Sequence, residues 1–216
     1  MELKYNNWND ITVNVFERLK AIKIESNDIL DELNTNISIL SVLCDVDEDT
    51  IANLEVGEFN RLLNQTSFLA EMPKAKIQDK YVINGKQYEV HLAINQMSMA
   101  QYIDFQTFCK EKDKYMKNII ACFLIPKGKK YGEGYEIEDV LKDIGDMSIV
   151  NAHSIMFFFI ISFRALTKTM LTYLVKKMRK EMKKEKNIEI VNKMKEAISQ
   201  IEVAMTLVEN GDGLIG

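Results

Sequence analysis

The chain reads as mainly α: a helical bundle with one small β-hairpin as a minor α+β component and a long C-terminal helical hairpin. Three observations predict this. Apolar residues recur at three- and four-residue steps along most of the 216 positions. Nine glycines and two prolines are too few for a turn-rich sandwich or barrel. One stretch alone, Lys76 to Leu92, changes to period two, and it folds back around Asn84-Gly85.

The elements follow in order. Residues 11–24 place Val15, Phe16, Leu19 and Ile22 on one stripe of a first helix. Ser26 or Asn27 caps the next, whose Ile29, Leu30, Leu33, Ile37, Leu40 and Leu43 share a face. Asp45 to Thr50 breaks it, and a short helix runs through Leu54. Glu58 to Leu69 is amphipathic through Phe59, Leu62, Leu63 and Phe68, and Pro73 ends this third of the chain. Lys80–Ile83 and Gln87–Val90 then flank Asn84-Gly85, the pair best suited to the two positive-φ positions of a type I′ turn. A lone hairpin is marginal in water, so it must pack on helices or join a neighbouring chain's strand. Helices are predicted from Ser98 to about Cys109, from Tyr115 to Leu124, and from Glu136 to Ile144. Between the last two, Lys127 to Tyr135 reads as a flexible loop. A long helical run from Ser148 to Lys186 and a last helix from Ile188 to Val208 complete the chain before a fraying tail at 211–216.

Three segments follow: an acidic helical part over 1–72, a hairpin plus helical core packed as one domain over 73–210, and the tail over 211–216. The net charge of −4 hides a polarity between them. Residues 1–72 carry 14 acidic and 5 basic side chains, a balance of −9, and the remaining 144 carry 18 and 23, a balance of +5. Seven basic residues crowd positions 176–186, with Lys168 upstream. Such a helix end suits the C-terminal dipole, and it also suits an acidic partner or phosphates.

Motifs of chemistry are scarce. Cys44, Cys109 and Cys122 are an odd set without CxxC spacing and, with two histidines, spell no ordinary zinc site. Buried free thiols in a reducing compartment are expected. The glycine and lysine spacing of Lys127 to Gly134 matches neither phosphate-loop pattern. His91 lies two residues from Glu89 on the hairpin strand, with no nucleophile nearby in sequence, and His153 precedes an aromatic run. Asp45, Asp47, Glu48 and Asp49 lack the glycine and terminal glutamate of a calcium loop, so they read as helix-capping charge. No catalytic residue, metal ligand or cofactor is expected. The N-terminus lacks an apolar signal region, and the nine-position stretch from Ile155 to Phe163 is short for a membrane span.

The order of features resembles a group of small proteins from the morphogenesis gene blocks of tailed bacteriophages of Bacteroides-type hosts, including crAss-like phages. It rests on Trp8-Asn9-Asp10-Ile11-Thr12, on Ile39 to Cys44, and on Leu54 with Phe59 before Phe68-Leu69. The Asn84-Gly85 hairpin, Gln101-Tyr102-Ile103-Asp104, and Pro126-Lys127-Gly128 leading to Tyr131 and Gly134-Tyr135 continue it. It ends with the Phe-rich helix running into Leu174-Val175-Lys176, so it covers about residues 8–178. The resemblance implies a tail or neck component of the virion, or a tail assembly chaperone, and no catalytic residues.

The expectation is therefore a non-enzymatic structural protein of a tailed phage, assembled as an oligomeric ring in the neck or tail and made in the host cytoplasm. Its partners would be its own copies and other tail or neck proteins, with no small-molecule substrate and no membrane. The candidate subunit-interface residues are Tyr81, Tyr88, Lys129, Tyr131, Tyr135, Phe157, Phe158, Lys180 and Lys183. The alternative is a chaperone that shields the tape-measure or another tail protein and then leaves, for which twelve methionines offer adaptable contact surface. A third reading, weaker for a net acidic chain, has the basic helix contacting DNA.

Overall fold

The computed structural model describes residues 1–23, 28–71, 76–91, 96–108 and 115–210. Among them the fold is mainly α with a small antiparallel sheet. The chain divides into two compact units, Met1–Met156 and Phe157–Gly216, and the boundary falls within one helix. The first unit takes in both the acidic helices and the hairpin.

In the first unit, α1 (Val13–Ala21) is capped by Thr12, whose hydroxyl accepts from the Val15 N–H. Helix α2 (Ile29–Cys44) is capped by Asp28, one residue beyond the expected Ser26 or Asn27, which lie outside the described residues. The Asp28 carboxylate accepts from the N–H of Asp31 at 3.0 Å. Asp45 closes α2 in the left-handed conformation at φ 57°. Helices α3 (Glu48–Ala52) and α4 (Val56–Gln65) follow, and a 3₁₀ turn (Thr66–Ala70) ends the predicted 58–69 helix. Trp8 fastens that turn by donating from its indole to the carbonyls of Phe68 (2.7 Å) and Glu71 (2.9 Å).

The hairpin forms as predicted. Strands β1 (Lys80–Ile83) and β2 (Lys86–Val90) pair antiparallel, with Tyr81 opposite Tyr88 and Ile83 opposite Lys86. Asn84 and Gly85 both take positive φ, 50° and 75°. The chain supplies a third strand, β3 (Leu124–Pro126), which pairs with β2 and gives the order β1-β2-β3. The expected α6 helix stops one residue early for this purpose: α5 covers Met99–Phe108 and α6 covers Tyr115–Phe123. One edge of the hairpin is thus already paired within the chain.

Helix α7 (Ile137–Asp146) packs against α1, α6 and the sheet. A short bridge joins Thr12 to Ser148 and seats the start of α8 beside α1, through Val13 N–H to the Met147 carbonyl (2.9 Å) and Ile149 N–H to that of Ile11 (2.8 Å). The core is Ile11, Leu40, Leu43 and Ile51 from the N-terminal helices, Ile120 to Leu124 from α6 and β3, and Ile144, Ala152 and Ile155. Fully burying one such aliphatic side chain is worth about 1.5–3 kcal/mol.

Helix α8 (Ile149–Met182) is continuous for 34 residues, about 51 Å at 1.5 Å per residue. By length and composition it is apolar enough to cross a membrane, yet 47% of its most apolar window is buried inside the chain. In the second unit, Arg179 of α8 pairs with Glu202 of α9 (Ile188–Asn210) at 2.6 Å. The tail at 211–216 lies outside the described residues.

Candidate interaction surfaces

Two of the expected interface residues are core residues. Tyr81 is 4% exposed and Tyr88 1% exposed, so neither ring presents a surface. The reason is helix packing: the two rings lie opposite each other on one face of the hairpin, and α7 and the start of α8 meet that face. The Tyr81 hydroxyl lies 3.3 Å from Ser154 Oγ on α8. The Tyr88 hydroxyl donates to Asp143 Oδ2 on α7. That carboxylate is 3% exposed and also accepts from Lys86 Nζ (2.8 Å) and Asn84 Nδ2 (3.0 Å). Asn84 reaches Asp146 as well, at 3.0 Å. Burial alone would push the Asp143 carboxyl upward, but Lys86, Tyr88 and Asn84 together hold it below the usual carboxylate range. Burial and the facing carboxylate drive the Tyr88 hydroxyl above the ordinary tyrosine value. The cluster is a clasp that fixes the hairpin's turn end to α7.

The 127–135 loop is anchored rather than loose. Gly128, Gly132 and Gly134 all take positive φ, 74°, 72° and 77°, so its glycines serve turn closure. Tyr131, half-buried, donates to Asp104 Oδ2 (2.9 Å) on α5, and burial raises its pKa. The half-buried Tyr135 accepts from the Gly132 N–H at 3.3 Å, and the Lys127 N–H bonds the Gln87 carbonyl at 2.9 Å. These tyrosine hydroxyls are spent inside the chain, which leaves Lys129 as the exposed candidate of this loop. Beside it a cavity of about 500 Å³ is lined by His91, Ser98, Gln101, Lys129, Tyr131 and Glu133 among others. Gln101 Nε2 is committed to the Cys122 carbonyl (2.6 Å), and Glu89 pairs with Lys80 at 3.9 Å.

The acidic cluster after α2 is structural. Asp45 binds Lys4 (2.6 Å) and Arg18 (3.1 Å), Asp47 caps α3 through the Thr50 N–H (2.6 Å), and Glu48 accepts from Ser38 (2.6 Å). Among the described residues no group of three metal-ligating side chains is assembled. Cys44 and Cys122 are buried free thiols, and Cys109 lies outside the described residues.

The Phe-rich helix divides as consecutive helical residues must, about 100° apart. Phe159 turns inward at 5% exposure, while Phe157 (58%) and Phe158 (38%) face out with Ile161 (50%). Further along α8, Met170 (55%), Tyr173 (63%) and Leu174 (37%) form a second uncovered apolar stripe that leads into exposed Lys177, Lys180 and Lys183. Sequence periodicity found the apolar residues but could not tell which of them the chain itself covers. No protein-family model, curated protein or solved structure matches this chain.

Proposed function

We propose that this chain is a non-enzymatic tail assembly chaperone of a tailed bacteriophage, which shelters an apolar segment of a tail protein on α8 and is absent from the finished particle. The observation that carries the reading is the exposed stripe of Phe158, Ile161 and Phe157. Aromatic side chains of this size supply most of the energy at interfaces, and a monomer leaves them in water only at a cost. The first unit offers less adhesive surface: its hairpin is paired on one edge by β3, and Tyr81 and Tyr88 are buried. The tag-purified chain expressed during phage infection would bring down a tail protein, identified by mass spectrometry. The variant Phe158→Ser/Ile161→Ser would lose that protein at unchanged thermal stability; equal recovery with both chains would sink the reading.

A second reading, a ring component retained in the neck or tail, is favoured by the segregation of charge. The acidic exposed end of α2 and the basic end of α8 are complementary surfaces on one chain. Its particles would contain the protein at fixed copy number.

A further inference from the structure

Helix α2 begins with an exposed patch that its own fold leaves uncovered. Ile29 is 77% exposed, Leu30 67% and Leu33 42%, and exposed Asp28 and Glu32 flank them. Buried α2 residues begin only at Leu40, more than two turns later. The C-terminal half of α8 shows the opposite character: Met170, Tyr173 and Leu174 are uncovered, and Lys176, Lys177 and Lys180 follow on exposed positions. A shallow groove of about 350 Å³ runs beside Tyr173 and ends at Lys176. Among the described residues, Glu32, Lys176, Lys177 and Lys180 make no ion pair within the chain.

We propose that the acidic, apolar start of α2 in one copy docks on the basic, apolar end of α8 in a second copy. Charge complementarity selects the occupant. Both patches combine aliphatic or aromatic side chains with charge, and the signs are opposite. Nucleic acid would match the lysines but has no use for Met170 and Leu174, and it would leave the α2 patch uncovered. The contact joins two different surfaces, so it is heterologous and adds copies in one direction until the rotation closes a ring. Each exposed ion pair contributes little by itself, so Ile29, Leu30 and Tyr173 carry the adhesion while the charges set register and partner. The surface is distinct from the Phe158–Ile161 stripe, and the contact needs no tail protein to form.

The test uses the full chain alone. Light scattering coupled to size exclusion at low salt would show mass rising with concentration, and sedimentation in 0.5 M salt, where screening reaches only about 4–5 Å, would show it fall. The variant Ile29→Ser/Leu30→Ser/Glu32→Lys disables one side, and Tyr173→Ser/Lys177→Glu/Lys180→Glu the other. Each alone would be a monomer with wild-type circular dichroism, its association weakened at least tenfold. Mixed one to one, they would form a heterodimer that stops at two chains, because one intact contact remains. Wild-type chain that stays monomeric at 200 μM, variants that still self-associate, or a mixture that does not pair would each overturn the proposal. Shift of duplex DNA by a strictly monomeric chain would overturn it in favour of nucleic acid.

Discussion

Asp143 on α7 accepts a hydrogen bond from the hydroxyl of Tyr88 on β2, 55 residues earlier in the chain, and both side chains are buried. Lys86 and Asn84 converge on the same carboxylate, so one side chain terminates three donors from the hairpin. Removing the acceptor strands a buried hydroxyl, and that penalty exceeds the loss of a single bond. Asp143→Ala should therefore cost about 2–4 kcal/mol in urea unfolding, against about 1 kcal/mol for Tyr88→Phe. The two should not add in the double variant, since they share a contact. Equal effects would show that the clasp is not the unit described.

The same carboxylate sets an acid limit. Its folded pKa is depressed, so its contribution is fully present above the unfolded value near pH 4 and is lost as pH falls through the folded value. Glu58, held down to about 2 by Arg61 and the N-terminal ammonium, moves in the same direction. Tyr88 and Tyr131 set the alkaline limit. Their folded pKa values are raised, so above about pH 10 the unfolded chain releases protons that the folded chain retains, and stability falls. Urea midpoints measured from pH 2.5 to 11 should form a plateau between about 4 and 10. Tyr88→Phe should lessen the alkaline fall, and an unchanged profile would refute the assignment.

Ser148 Oγ is buried without a hydrogen-bond partner among the described residues. Ser148→Ala removes a desolvated hydroxyl and keeps the backbone bridge to Thr12. Stability should rise by up to about 1 kcal/mol. A loss of that size would mean that the hydroxyl is satisfied in solution.

The row of three phenylalanines should split by position. Phe159→Ala, at a buried site, should cost about 3–5 kcal/mol, whereas Phe158→Ala should change stability by about 1 kcal/mol or less. Thermal and urea unfolding of the two variants separates core from surface directly.

The fold was legible where one local rule decides the conformation. Asn84-Gly85 demanded a hairpin because both residues accept positive φ, and the apolar period of α7 followed from burial on one face. It was not legible where two local rules agree on different answers. Ser26, Asn27 and Asp28 are all good caps, and only the packed helix selects Asp28. Leu124–Pro126 continues an apolar helical run for three residues, too short for a period of two to show against 3.6. The face holding Tyr81 and Tyr88 becomes interior only when α7 and the start of α8 pack on it, which no local pattern in the hairpin announces. Asp143 carried no signal at all, since its role exists only after the hairpin lands on α7. The exposed aromatic stripe of α8 was half legible: spacing required that the phenylalanines diverge, but tertiary contacts decided which one turned inward.

The proposed role is tested most directly by quantitative mass spectrometry of purified particles beside the infected-cell lysate from which they came. The chaperone account predicts the chain in the lysate, bound to a tail protein, and absent from finished particles. Its presence in particles at a fixed ratio to the other tail proteins would contradict that account and establish a virion component instead.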